Sequence, residues 1–259
     1  MTHSGEEAQI PVKLYVLDGG RAHLPDMSHL TPDRNVGRPV TIPILMFLID
    51  HPKGLVVVDT GVDTDAAGHD PFFEASREQR IDRQMKRLGH EPGEVRYTIL
   101  THLHHDHMGC APLFAGSTFI VRRSELRAAW WPDPYEGGYD FAALLKTRDL
   151  DYLQLPDDER LDVFEDGSVV CFDTRGHTEG HQSVLVNLPR SGRVVLAGDA
   201  VQVAENLTAS WPPGMCWNSQ LAVQAITELR HMQKEGALVI FGHELSQLDA
   251  LRVAPGRYE

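Results

Sequence analysis

Residues 101–109 read THLHHDHMG and place four histidines and one aspartate within six consecutive positions. No packing role in a globular domain requires this density of imidazole, and buried imidazoles or carboxylates without a partner are costly. Imidazole nitrogens and carboxylate oxygens are ligands that a borderline divalent ion such as Zn²⁺ accepts. The stretch therefore predicts a metal site.

The spacing within this stretch indicates which side chains share an ion. Alternate residues of an extended segment point the same way, so His102 and His104 can reach one ion. Asp106 and His107 then point elsewhere and can serve a second ion nearby. His105 lies at the wrong alternation, and we expect it to line a loop or a pocket instead.

Three distant segments supply further ligand-type side chains directly after apolar strands. RGHTEGHQS contributes His177, LAGDA contributes Asp199 and FGHE contributes His243. His102 likewise follows the apolar run VRYTIL. If these strands share a direction, their four loops converge at one edge of the fold, where active sites are commonly built. We expect His181, four residues after His177, to support or pack rather than to bind metal.

The remaining sequence alternates between strand and helix patterns. Apolar runs rich in β-branched residues and separated by turn signals predict strands over Val12–Asp18, Val40–Asp50, Gly54–Thr60, Val95–Leu100, Thr118–Arg123, Ser168–Thr174, Gln182–Leu188, Arg193–Asp199 and Ala237–Gly242. Amphipathic patterns predict helices over Glu74–Leu88 and Ser219–Lys234, and Ser124 is the expected N-cap of a third helix through Trp131. Antiparallel strand pairs with interspersed helices are typical of an α+β fold.

The composition excludes several classes of protein. The formal net charge is −13 with neutral histidines, and a protein that grips nucleic acid needs a surplus of Lys and Arg, so we expect no nucleic-acid partner. No apolar run is long enough to cross a bilayer, and the first ten residues lack the pattern of a secretory signal. We therefore expect a cytoplasmic enzyme without a membrane partner.

The order of the motifs resembles that of the metallo-β-lactamase fold superfamily, which combines HxHxDH with a later His, Asp and His. VVVDTG at residues 56–61 is similar to the first motif of that superfamily. Within it, KLYVLDGGRAHL, THLHHDHMG, GHTEGHQS, GDA and IFGHELSQ resemble the N-acyl-homoserine lactonases in order and spacing. The resemblance implies a four-layer αβ/βα sandwich, and we expect one such hydrolase domain over residues 1–259.

The resemblance also implies a dinuclear metal centre. One ion would be bound by His102, His104 and His177, the other by Asp106, His107 and His243, and Asp199 would bridge the two. Asp59, in the first motif, is expected to support the metal loop. Two Zn²⁺ ions are the expected cofactors, although Mn, Fe and Co ions suit the same ligands.

The reaction implied by the resemblance is the hydrolytic opening of a lactone ring. The expected small-molecule partner is an N-acyl-homoserine lactone, whose opening amounts to quorum quenching. Two ions that share a water molecule can lower its pKa to roughly 7 or below, so that a bridging hydroxide attacks the carbonyl. Asp106 and Asp199 are the expected catalytic residues, because either can relay the proton to the leaving alkoxide.

Related activities stay open at this point. A pyridoxolactonase-like enzyme shares these motifs, and thioesterases of the glyoxalase II kind and β-lactamases use the same fold. A binding protein that keeps its metals without turnover is a further alternative, although an intact ligand set argues against it. The sequence also leaves open whether the chain forms a homodimer.

One position departs from the pattern of the homoserine lactonases. A tyrosine usually sits three residues after the bridging aspartate and hydrogen-bonds the substrate carbonyl, but GDAVQ places Gln202 there. Glutamine can donate a hydrogen bond, although it is shorter than tyrosine and lacks the phenol. We expect Gln202 to bind substrate, unless another donor replaces the phenol or the substrate differs.

Overall fold

Two mixed β-sheets form the centre of the fold in a computed structural model that describes residues 10–67, 72–134 and 137–259. The strands of the larger sheet are β1 (Lys13–Leu24), β2 (Val40–Asp50), β3 (Leu55–Val58), β4 (Phe73–Glu74), β5 (Val95–Ile99), β6 (Thr118–Arg122) and β7 (Asp151–Leu155). Their order is β4-β1-β2-β3-β5-β6-β7. The first four strands in this order pair antiparallel, and β3, β5, β6 and β7 pair parallel.

The smaller sheet contains β8 (Leu161–Asp162), β9 (Val169–Asp173), β10 (Gln182–Leu188), β11 (Gly192–Leu196) and β12 (Leu238–Ile240), in the order β12-β11-β10-β9-β8. Strand β10 runs antiparallel to both β9 and β11, and β11 runs parallel to β12. Strands β9, β11 and β12 therefore point the same way, which is the condition under which their loops were expected to converge. The loops that follow them carry His177, Asp199 and His243 to one edge of the sheet.

Helices cover the outer faces of both sheets. They are α1 (Thr64–Ala67), α2 (Ile81–Arg87), α3 (His105–Met108), α4 (Arg123–Trp130), α5 (Phe141–Leu145), α6 (Ala204–Ala209), α7 (Ser219–Lys234) and α8 (Leu245–Leu248). Among the helices of the described residues, none is both long and apolar enough to cross a membrane.

Successive side chains of a strand point to opposite faces of its sheet, and the buried apolar side chains form three layers. Val16 and Val56 of the larger sheet pack in one core with Val184 of the smaller sheet. The opposite face of the larger sheet packs against α2 and α4, and that of the smaller sheet packs against Ile226 and other residues of α7. Each aliphatic side chain that becomes fully buried stabilises the folded state by about 1.5–3 kcal/mol. The order helix, sheet, sheet, helix confirms the predicted α+β sandwich.

The predicted bounds of β2, β10 and α7 agree with the structure. The helix predicted from Glu74 was wrong at its beginning, because Glu74 pairs with Arg21 in a short strand and α2 begins only at Ile81. Ser124 is not the N-cap of α4: the helix begins at Arg123, and the hydroxyl of Ser124 donates to Asp157 Oδ1 at 2.6 Å.

Strand β1 is longer than predicted, because the register shift between Asp18 and Arg21 carries the strand on through Gly19–Gly20, which has the sequence pattern of a turn. Strands β7 and β8 were missed, since both are short and lie at the edges of their sheets, where little apolar alternation is needed. The single domain expected over residues 1–259 includes positions 1–9, 68–71 and 135–136, which lie outside the described residues, and it stays a prediction.

Candidate metal centre

The fold brings all seven predicted metal ligands together at one edge of the sandwich. Within each of three groups, the candidate ligand atoms lie within 4.8 Å of one another. The groups are His102, His104 and His177; His102, His107 and Asp199; and Asp106, His107 and His243. One loop of the larger sheet and three loops of the smaller sheet contribute to this cluster.

Asp199 faces both ends of the cluster. Its Oδ1 lies 3.2 Å from Nε2 of His107 and 3.2 Å from Nε2 of His243. Its Oδ2 lies 3.4 Å from Nε2 of His177, which in turn lies 3.2 Å from Nδ1 of His104. A carboxylate in this position can reach ions on either side of it.

The cluster has unsatisfied polar atoms that a cation would satisfy. Among the described residues, Nε2 of His102, Nε2 of His107 and Oδ1 of Asp199 are buried without a hydrogen-bond partner. Leaving such an atom without a partner costs about 1–3 kcal/mol. Nitrogen and carboxylate donors at this spacing fit divalent ions of the zinc type.

The other ring nitrogens are fixed by hydrogen bonds that point away from the cluster. Nδ1 of His177 donates to the carbonyl oxygen of Gly214 at 2.8 Å, and Nδ1 of His243 donates to that of Pro43 at 2.9 Å. Because these acceptors hold the proton on Nδ1, the lone pair of Nε2 faces the cluster. This is the tautomer that a metal-binding histidine requires.

Asp59 orients the metal loop from the end of β3. Its Oδ2 accepts from Nδ1 of His107 at 2.8 Å and from the hydroxyl of Thr101 at 2.8 Å, and its Oδ1 accepts from the Thr101 N–H at 2.8 Å. The backbone of Asp59 has a φ of 54°, in the left-handed region. Asp59 thus holds the first and the last parts of the histidine stretch, in agreement with the support expected from the first motif.

The charges in the cluster have opposite effects on its imidazoles. Burial and the neighbouring histidines hold the pKa of His102 and His104 well below the usual value, so both rings are neutral. Burial also lowers the pKa of His107, but the carboxylates of Asp106 and Asp199 outweigh it and raise that pKa well above the usual value. A cation that enters between these groups would take the place of a proton on His107.

His181 belongs to none of the three groups of candidate ligands. Its Nε2 accepts the N–H of Asp199 at 3.0 Å, and its Nδ1 lies 2.9 Å from the hydroxyl of Thr174. Burial lowers its pKa to about 3. The ring supports the backbone of Asp199 rather than facing the cluster.

The sequence analysis missed Glu125, a buried carboxylate of α4. Its Oε1 accepts hydrogen bonds from the Leu103 N–H at 2.9 Å and the Tyr139 hydroxyl at 3.2 Å. Its Oε2 accepts from the Thr178 hydroxyl at 2.6 Å and the Gly180 N–H at 3.0 Å. Burial raises the pKa of the carboxyl to about 7, although the four donors favour its charged form. Glu125 therefore connects the loop after β5 with the loop after β9 through hydrogen bonds to a single carboxylate.

The pattern of α4 contained a signal for Glu125. In RSELRAAW, the buried residues of the helix are Glu125, Ala128 and Ala129, which lie three and four residues apart. A carboxylate on the apolar side of a short helix requires a partner of its own. The sequence does not identify that partner, because the donors lie in three separate loops.

Gly214 connects His177 with Gln202. Its N–H donates to Oε1 of Gln202 at 2.8 Å, and Nε2 of Gln202 donates to Oδ2 of Asp199 at 2.8 Å. The carbonyl oxygen of Gly214 is also the acceptor for His177. A Cβ atom built on Gly214 would lie 1.5 Å from the carbonyl oxygen of His29, so only glycine fits there.

Replacing Gly214 by alanine is expected to displace this loop and to weaken metal binding by about 10–100-fold, the usual effect of losing a partner of a metal-binding histidine. Titration of metal-free protein with Zn²⁺ measures the change. Gly116→Ala is the matched control, because a Cβ atom there meets no atom of the described part of the chain within 4 Å. Unchanged Zn²⁺ affinity in a folded Gly214→Ala protein would contradict the role given to this loop.

A cavity of about 140 Å³ opens onto the cluster. Its wall contains Gln202 and five of the seven predicted ligands, namely His104, Asp106, His177, Asp199 and His243. The rest of the wall consists mainly of apolar residues: Ala22, Leu24, Leu30, Ile42, Phe73 and Met215. His105 also lines this cavity, as the sequence predicted. The arrangement can hold a small molecule with a polar end at the cluster and an apolar end along this wall.

Comparison with known proteins places this geometry in a family. The sequence profile of the Metallo-beta-lactamase superfamily matches residues 41–243. N-acyl homoserine lactonase AttM of Azorhizobium caulinodans is 32% identical, with 96% of this chain and 99% of that protein covered. N-acyl homoserine lactonase AiiA of Bacillus thuringiensis subsp. kurstaki is 30% identical, with 94% and 97% covered.

Solved structures show the same similarity in three dimensions. An N-acyl homoserine lactone hydrolase with the product N-hexanoyl-L-homoserine bound at its catalytic metal center superposes with a TM-score of 0.85. The two chains are 29% identical, and the match covers 97% of this chain and 100% of that one.

Proposed function

The chain belongs to the metallo-beta-lactamase superfamily and, within it, to the N-acyl homoserine lactonases, and from this membership we propose that it hydrolyses the lactone ring of N-acyl homoserine lactones. The observation that carries the proposal is the cluster of seven ligand-type side chains at the base of a largely apolar cavity. The product of such a reaction is an N-acyl homoserine, which no longer has the ring of the signal. The activity therefore amounts to quorum quenching.

We propose that the cluster holds two Zn²⁺ ions, one between His102, His104 and His177 and one between Asp106, His107 and His243, with Asp199 facing both. When bound, such ions polarise an ester carbonyl and lower the pKa of a shared water molecule to about 7. The cavity excludes bulk water from the cluster, since most of the proposed ligands are buried. The chain itself supplies no serine or cysteine nucleophile in the described wall of this cavity.

The carboxylates move the proton in this proposal. Hydrolysis adds water to the lactone carbonyl and breaks the ring C–O bond, so the proton given up by water must reach the alkoxide that leaves. Oδ2 of Asp106 lies at the wall of the cavity, 3.7 Å from Nε2 of both His107 and His243. It can accept the proton there and return it to the leaving oxygen, and Asp199 is the alternative carrier.

Gln202 is the proposed contact for the substrate carbonyl. One N–H of its amide is donated to Asp199, and its Oε1 accepts from Gly214. A primary amide has a second N–H, which is left for the substrate. Because Gln202 is buried and held at both ends, its donor is fixed in place before the substrate binds.

The apolar wall suits the acyl chain of the substrate. Leu24, Leu30, Phe73 and Met215 surround the cavity between the cluster and the surface. Each methylene of the acyl chain that is buried against such a wall contributes about 0.8 kcal/mol to the free energy of binding. The substrate is therefore expected to place its ring at the cluster and its chain among these residues.

A panel of substrates tests the proposal directly. The purified, metal-loaded protein is expected to release protons from N-hexanoyl-homoserine lactone, and the same protein after chelation is expected to lose this activity. Pyridoxolactone, a glutathione thioester and a β-lactam serve as comparison substrates, and elemental analysis gives the metal content. Faster turnover of any comparison substrate than of the homoserine lactone would overturn the assignment.

A further inference from the structure

His105 is the histidine of THLHHDHMG that the proposed metal centre does not use. It lies between His104 and Asp106 and lines the cavity. Its ring packs at a right angle to that of Phe73, with ring centroids 5.0 Å apart and planes at 87°. The position thus combines an ionisable ring with a wall that is otherwise largely apolar.

The backbone at Gly138 determines which nitrogen of His105 carries the proton. The carbonyl oxygen of Gly138 lies 3.3 Å from Nδ1 of His105 and 3.2 Å from its backbone nitrogen. A carbonyl oxygen only accepts hydrogen bonds, so the proton is on Nδ1. In the neutral ring, Nε2 then has a free lone pair and acts as an acceptor.

This acceptor has no donor among the residues that the structure describes. Within the described residues, Nε2 of His105 is a buried atom without a hydrogen-bond partner. The apolar residues of the same wall, such as Phe73 and Leu24, have no side-chain donor to offer. A buried acceptor of this kind is unfavourable until a ligand brings an N–H or O–H group to it.

We propose that Nε2 of His105 accepts a hydrogen bond from the amide N–H of the acyl substituent, and that His105 thereby selects lactones that carry a secondary amide. The proposal rests on the function proposed above. The substituent is attached to the carbon next to the lactone carbonyl, so it leaves the cluster through the cavity that His105 lines. Among simple lactones with an acyl side chain, the amide N–H is the group that can donate to it.

The test compares two substrates in two proteins. One substrate is N-hexanoyl-homoserine lactone, and the other is the analogue of equal length in which CH₂ replaces the amide N–H. The wild-type protein is expected to favour the amide by about tenfold in kcat/KM, the value of one hydrogen bond to a buried acceptor. His105→Phe is expected to bring this ratio close to one, while His105→Gln, which keeps an acceptor, retains part of it.

His231→Phe is the matched control, because it makes the same substitution at an exposed histidine of α7, and its ratio is expected to equal that of the wild type. Metal content is measured in each variant to confirm an intact cluster. A wild-type ratio near one, or a tenfold ratio that survives in His105→Phe, would overturn the role of His105 and leave the lactonase proposal standing. Wild-type protein that opens neither lactone would overturn both.

Discussion

Asp199→Ala is expected to lower kcat/KM for lactone opening by at least about 10³-fold, because it removes the carboxylate that faces both halves of the cluster. Without it, Nε2 of His107 and of His243 lose the negative charge 3.2 Å away. The remaining proposed ligands are five imidazoles and the single carboxylate of Asp106, which carries too little negative charge to neutralise two divalent ions. Elemental analysis is therefore expected to find less than the full metal content, and proton-release assays are expected to find almost no turnover.

One further variant separates the effect of the charge of Asp199 from that of its size, and a second serves as a control. Asp199→Asn keeps the shape and one oxygen but not the charge, and it is expected to resemble the alanine variant in metal content. Asp249→Ala removes an exposed aspartate and is expected to behave as the wild type. Full lactone turnover by metal-free Asp199→Ala protein would refute the dinuclear mechanism.

Glu125→Gln is expected to disturb the metal centre although Glu125 touches none of the proposed ligands. Each oxygen of this carboxylate accepts one backbone N–H, from Leu103 or from Gly180, and these donors cannot rotate away. Whichever way the new amide turns, its NH₂ group faces one of them. Two opposed donors in a buried site cost about 1–3 kcal/mol, and the loops that carry His102, His104 and His177 are expected to separate.

The measurements are Zn²⁺ affinity and the free energy of unfolding at several pH values. We expect Zn²⁺ affinity to fall by about 10–100-fold, as for other partners that orient ligands. The pKa of Glu125 is raised to about 7 from an ordinary 4.5, so the contribution of this carboxyl to the free energy of unfolding should fall by about 3 kcal/mol as the pH rises between these values. The Tyr139 hydroxyl, which donates to Oε1, is the ionisable neighbour of this carboxylate.

The glutamine variant should not show this loss, since it has no proton to release. Glu228→Gln, on the exposed side of α7, is the control for a carboxylate that has no such role. A Glu125→Gln protein with wild-type Zn²⁺ affinity would show that the carboxylate does not position the ligand loops.

The sequence allowed the candidate ligands to be predicted because each follows an apolar strand and carries a metal-binding group. Of the supporting residues, Asp59 and His181 lie within the motifs and were anticipated, but Glu125 and Gly214 could not be found in the same way. Glu125 and Gly214 act on atoms far along the chain, and such contacts exist only after the loops have met. The hydrogen bonds of Gln202 with Asp199 and Gly214 likewise could not be predicted from a local sequence pattern.

The same reasoning explains the errors in the secondary structure. The pairing of Glu74 with Arg21 depends on a strand far away in sequence, and it overrides the local helical pattern before α2. Strands at sheet edges, such as β7, need little apolar alternation and therefore give a weak signal. Strands β2 and β10 and helix α7, which are buried along most of their length or of one face, were predicted with the correct bounds.

The division of the proposed ligands between the two sheets makes the cluster a late product of folding. His104 and His177 are separated by 73 positions in sequence, and His243 follows much later. During synthesis, the histidine stretch leaves the ribosome well before its partners exist, so it can offer an ion only a partial set of ligands. Tight metal binding therefore begins only when the second sheet docks on the first. Because the metal then binds the assembled sandwich much more tightly than any partly folded state, it stabilises the sandwich relative to those states.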